Sequence, residues 1–91
     1  MKKTGIELIA IERQEQIEKH GRTIEYDRKF NSSGQLQQGA LALIHEHFGD
    51  FPAIWDDNLC SKMFAKPLKE RLVIAGALIA AEIDRLQALE R

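Results

Sequence analysis

The chain has one cysteine, two prolines, one tryptophan and one tyrosine in 91 residues, and no charge of one sign predominates. A lone Cys60 excludes an intramolecular disulfide and any multi-cysteine zinc site, the pattern expected of a protein in a reducing cytoplasm. Thirteen basic against 14 acidic residues leave a formal charge of −1, which gives no bulk attraction to nucleic acid or anionic lipid. Neither DNA nor RNA is an expected partner. Met1, Lys2 and Lys3 are followed by charges alternating with apolar groups, so the unbroken apolar segment of a signal peptide is missing. The longest apolar run, residues 72–81, is ten residues, and a membrane span needs roughly 20. No repeat or low-complexity tract divides the chain, so residues 1–91 form one domain. A domain this small buries only about 60 to 65 per cent of its unfolded surface, and that marginal core favours oligomerisation.

What is present is helical periodicity. Residues 67–90 read as the core helix, opened by Pro67, with Leu68, Leu72, Ile79, Ile83 and Leu86 on one face. Apolar residues wrap beyond that face, which predicts enclosure by the other helices and by a second copy of the chain. A first helix is predicted over 5–20, between the Thr4/Glu7 capping box and the His20-Gly21 stop. Its inward stripe reads Ile6, Ile9, Ala10, Arg13, Ile17 and His20. Leu8 and Ile11 lie opposite, as a subunit interface or as two exposed aliphatics. Residues 21–32 show no sustained period and read as a loop with room for one helical turn. Ser32 and Gln35 repeat the capping spacing before Leu36, Ala40, Leu43, Ile44 and Phe48, a second helix over 33–48. The connection 49–66 is expected to lay Phe51, Trp55, Met63 and Phe64 over the helix ends, with a short turn near 59–64. The predicted fold is a small all-α domain of three helices plus the short extra helical turn near 59–64, packed around its C-terminal helix and assembled as an oligomer.

Charged residues set among apolar ones are the strongest chemical signal. Arg71, Glu82 and Arg85 fall within about 60° of one another on an ideal helix, with Glu82 at the edge of the apolar stripe. If the first helix packs on the last, Arg13 is the natural partner of Glu82, and Gln16 lies one turn away. That pair either sets helix register or forms a polar pocket whose guanidinium holds an anion. Glu12 and Glu15 share the i, i+3 spacing of a divalent-cation pair, which Glu82 or Asp84 would complete. A solvated acidic face is the commoner use of such residues, so neither a metal nor another cofactor is expected. His45 and His47 point in different directions, and Cys60 has no activating neighbour. Thr23, Glu25, Tyr26 and Asp27 sit together where a ligand can reach them, or pack an aromatic beside turn formers.

Glu12-Arg13 with Gln16-Ile17-Glu18, Gly21-Arg22-Thr23, Glu25-Tyr26-Asp27, Gly34-Gln35-Leu36, Pro52, Trp55, Lys66-Pro67 and Arg71-Leu72-Val73 follow one another along the chain. With the ending Ala75-Gly76-Ala77-Leu78-Ile79-Ala80-Ala81-Glu82-Ile83 and Arg85-Leu86, the chain resembles a family of short bacteriophage and prophage proteins over nearly its whole length. Members carry tryptophan at Arg22, histidine at Tyr26 and glutamate at Gln35. Those departures remove a carboxylate and an imidazole, which counts against metal-dependent activity. The chain is similar, more loosely, to all-helical nucleotide pyrophosphohydrolases of the MazG type, with half of their acidic signature matched by Glu12 and Glu15.

Together these features imply a phage-type cytoplasmic homo-oligomer that sequesters a nucleotide-derived anion, such as a host immune signal, without catalysis. The candidate ligand residues are Arg13, Gln16, Thr23, Tyr26, Trp55, Lys66, Lys69, Arg71 and Glu82, with arginine forks for phosphate and aromatics for a base. Two alternatives are a magnesium-dependent nucleoside triphosphate pyrophosphohydrolase using Glu12, Glu15 and Glu82, and an inhibitor that binds a host defence protein.

Overall fold

The computed structural model describes residues 2–90, and every described element is helical. Five α-helices follow in order: α1 (Gly5–His20), α2 (Ile24–Phe30), α3 (Gln35–His45), α4 (Asp57–Phe64) and α5 (Leu68–Leu89), with a 3-10 turn at Phe48–Asp50. The all-α reading holds, and the short helical turn expected near 59–64 is α4; with α2 as a further helix, the expected three become five. Among the described residues no helix is long and apolar enough to cross a membrane.

The ends of α1 follow from sequence. The Thr4 hydroxyl accepts from the Glu7 amide, the Glu7 carboxylate accepts from the Thr4 amide, and Gly21 closes the helix at φ 65°. The segment 21–32, read as a loop, instead forms α2. Thr23 caps it by accepting from the Tyr26 N–H, and Glu25 and Asp27 near its start with Arg28 and Lys29 near its end complement the helix dipole. These local signals outweigh the missing apolar period because α2 buries a polar residue, Asp27, where an amphipathic helix buries an aliphatic.

The core is built from Leu36, Ala40, Ala42 and Leu43 of α3, Cys60 and Met63 of α4, and Ile74, Ala75, Leu78 and Ala81 of α5, with Phe51 between. Trp55 and Phe64 pack against it, as the aromatic content of 49–66 predicts. The rotation of α5 differs from the expectation. Its buried face is Ile74, Ala75, Ala77, Leu78, Ala81, Glu82 and Arg85, whereas Leu68, Leu72, Ile79, Ile83 and Leu86 all remain exposed. On a helix apolar nearly all round, the side rich in small residues packs closest, with Ile74 and Leu78 between its alanines. Alanine and glycine let neighbouring backbones approach: a Cβ on Gly76 would lie 2.5 Å from Ile9 Cδ1, and one on Gly39 of α3 would lie 2.4 Å from the Trp55 ring. The α1 stripe is rotated as well. Arg13 and Gln16 are its buried residues, while Ile6 is 83 % exposed.

Candidate functional site

The polar residues enclosed by the fold come from α1, from α2 and its C-cap Asn31, and from α5. Arg13 does not meet Glu82. Its Nη1 donates to the Arg22 carbonyl at 3.0 Å and its Nη2 to Asp84 Oδ2 at 3.4 Å. Glu82 is held within its own helix by Arg85, whose Nε and Nη2 donate to the two carboxylate oxygens at 2.6 and 3.0 Å. The correction has a geometric cause: with α5 turned to bury its alanines, Glu82 and Arg85 both point inward one turn apart, and the fork is satisfied locally.

Beside this pair lies Asp27, wholly enclosed. Asn31 Nδ2 donates to Asp27 Oδ1 at 2.8 Å, and Trp55 Nε1 donates to Asn31 Oδ1 at 3.0 Å. Burial pushes the Asp27 carboxyl above the usual range, opposed by the Asn31 hydrogen bond and by Arg13 and Arg22. Its Oδ2 has no hydrogen-bond partner. This chain fixes the indole of Trp55 relative to α2 and sets the floor of an open cleft.

The cleft has a volume of 390 Å³ and two apolar walls. Tyr26 and Phe30, spaced i, i+4 on α2 with ring centroids 4.8 Å apart, make one wall. Ile54, Trp55 and Leu59 make the other, with Asn31 and Asp56 among the polar lining groups. Arg22 lies over the Trp55 ring at 5.6 Å and has no ion-pair partner among the described residues. Arg22 and Leu59 also border a second cleft of 270 Å³ between α1 and α4, lined by Glu12, Glu15, Gln16, His20, Lys62 and Lys66. There burial pushes the Glu12 carboxyl up, while Gln16 Oε1 is buried without a partner. Glu12 and Lys66 continue into a third depression that includes Lys69 and Val73.

Five of the expected ligand residues, Gln16, Tyr26, Trp55, Lys66 and Lys69, therefore line a band of three clefts that share lining residues. The other four sit outside it. Arg13 and Glu82 are held in the enclosed contacts, and Thr23 caps α2. Arg71 donates to Glu46 at 2.7 Å, where Glu46 ends α3 in the left-handed region at φ 56°. Residues absent from the expected set carry much of the geometry: Arg22 joins the first two clefts, and Phe30 and Asn31 build wall and floor. The signal for them was the i, i+4 pairing of Tyr26 with Phe30 and of Asp27 with Asn31, which makes sense only if 24–30 is helical.

Glu12 and Glu15 border the second cleft, but Glu82 is engaged by Arg85 elsewhere. Among the described residues no three histidine, cysteine, aspartate or glutamate side chains are grouped to hold a metal ion. Burial, with Asp56 and Asp57 nearby, raises the Cys60 thiol, as a packed core residue requires. Comparison of the chain with protein-family models, curated proteins and solved structures finds no match.

Proposed function

We propose that the protein binds a small ligand with a planar base and a phosphate-type anion and holds it without transforming it. The observation that carries this reading is the position of Arg22: its guanidinium lies over Trp55 at the junction of the aromatic cleft and the cleft bearing Lys62 and Lys66. A base inserted between the Tyr26/Phe30 wall and Trp55 gains stacking of about 1–3 kcal/mol. Its anionic group then reaches Arg22, a fork suited to phosphate. The mixed charge of the second cleft, with Glu12 and Glu15 facing Lys62 and Lys66, favours a compact ligand over a polyanion such as nucleic acid. The resemblance to phage proteins supports a biological use for such a binder, the sequestration of a host nucleotide signal.

Trp55 is the sole tryptophan, so its fluorescence reports directly on the cleft. Titration with nucleoside mono-, di- and triphosphates and cyclic dinucleotides should quench it for at least one compound. Affinity should fall with added salt and persist in chelator, and Arg22→Ala should weaken it about 10- to 100-fold, the worth of a charge-assisted contact. Ligand released by denaturation should be chemically intact. Absence of quenching across the panel at millimolar concentration would overturn the proposal, and magnesium-dependent formation of monophosphate and pyrophosphate would replace it with the hydrolase reading.

A further inference from the structure

The longest helix turns five of its large aliphatics away from its own domain. Leu72, Ile79 and Leu86 recur at seven-residue spacing with Leu68 and Ile83 beside them, and all five are exposed by 43–52 %, while Ile74, Leu78 and three alanines fill the inner face. Seven-residue spacing keeps a seam in line with a second helix. From Leu68 to Leu86 the seam runs about 27 Å, at 1.5 Å per residue.

We infer that this face is where a second copy of the chain docks, the two α5 helices running antiparallel about a two-fold axis at Ile79. The register follows from the spacing. With Ile79 on the axis, Leu72 of one copy meets Leu86 of the other, so the seam is self-complementary, as an isologous contact requires. Charge favours the same direction: Lys69 near the start of α5 then lies toward Glu90 at the end of the second copy's helix, and the helix dipoles oppose. A parallel arrangement would set Lys69 against Lys69 and Glu90 against Glu90. The five half-exposed side chains form a continuous apolar strip along α5, unlike the scattered single aliphatics of an ordinary surface. None of the five lines the aromatic cleft or the one beside it. The assembly therefore stands or falls apart from the ligand reading.

Light scattering at about 100 µM should give twice the chain mass. Ile79→Glu and, separately, Ile83→Glu should give one chain mass with unchanged helical circular dichroism, since both side chains point outward. The register is read by cross-linking. Ile79→Cys should form a disulfide-linked dimer, and an equimolar mixture of Leu72→Cys and Leu86→Cys should cross-link to each other. One chain mass for the parent protein, or a dimer that survives both glutamate variants, overturns the interface. Leu72→Cys cross-linking to itself in preference to Leu86→Cys overturns the antiparallel arrangement.

Discussion

Replacing Gly39 with alanine isolates the contact that shapes the aromatic cleft. Gly39 lies inside α3, and a Cβ there would stand 2.4 and 2.5 Å from two carbons of the Trp55 ring and 3.3 Å from Leu78 Cδ1. The obstacle is a fused ring tied to Asn31, so it cannot yield as a flexible chain end would. Alanine improves helix propensity by about 1 kcal/mol. Against this, overpacking costs about 1–3 kcal/mol and losing the Trp55–Asn31 hydrogen bond about 0.5–1.5. The balance is a loss of about 0.5–3.5 kcal/mol, and each kcal/mol lowers the melting temperature by about 4–8 °C in a domain of this size. Tryptophan emission should shift to the red in the folded variant as the indole leaves its seat, and ligand quenching should weaken with it. Gly76→Ala is the control. A Cβ there would stand 2.5 Å from Cδ1 and 2.9 Å from Cγ1 of half-buried Ile9, so the variant's melting temperature should fall as well, while the tryptophan emission maximum should stay that of the parent protein. A Gly39→Ala variant that melts no lower than its parent with the same emission maximum would refute the Trp55 placement.

The buried Glu82–Arg85 pair should be strongly coupled: Glu82→Gln or Arg85→Met alone should cost about 3–5 kcal/mol, and a double-mutant cycle by denaturant unfolding should return more than about 1. Arg13 and Asp84, whose carboxylate side chain is 41 % exposed, should return less than about 1 kcal/mol in the same cycle. Asp27 binds its proton more tightly folded than unfolded, so its contribution to stability is complete below the ordinary carboxyl range and is lost as pH rises from that range through the raised value. Asp27→Asn keeps the acceptor used by Asn31, and should flatten that fall and match or exceed the parent protein's denaturant midpoint at neutral pH. A midpoint lowered at neutral pH alone would show that the ionised carboxylate is required. Thr23→Ala should cost about 0.5–2 kcal/mol by uncapping α2, while Thr23→Ser should restore the melting temperature. Failure of serine to rescue would place Thr23 in some role other than capping.

Local signals in the sequence determined where α1 and α5 lie, because caps, a terminal glycine and an opening proline act within one turn and need no tertiary partner. The same kind of signal was present for α2, in the Thr23 cap and the order of charges along 25–29, but an apolar period was missing. That helix turns a carboxylate inward, and only the tertiary structure supplies Asn31, Trp55 and the nearby arginines that make the burial tolerable. Composition also determined that α5 is apolar nearly all round. It could not determine which side faces in, since leucine and isoleucine lie on both sides and only close packing selects the side that carries Ile74, Leu78 and the alanines. Once packing had decided that rotation, Glu82 found Arg85 instead of Arg13, and five large aliphatics were left outside. The aromatic cleft likewise depends on distance along the chain: Arg22, Tyr26 and Phe30 come from one end of it and Trp55 and Leu59 from another, and no spacing rule joins residues whose only relation is the packing of α2 and α4 about a shared core.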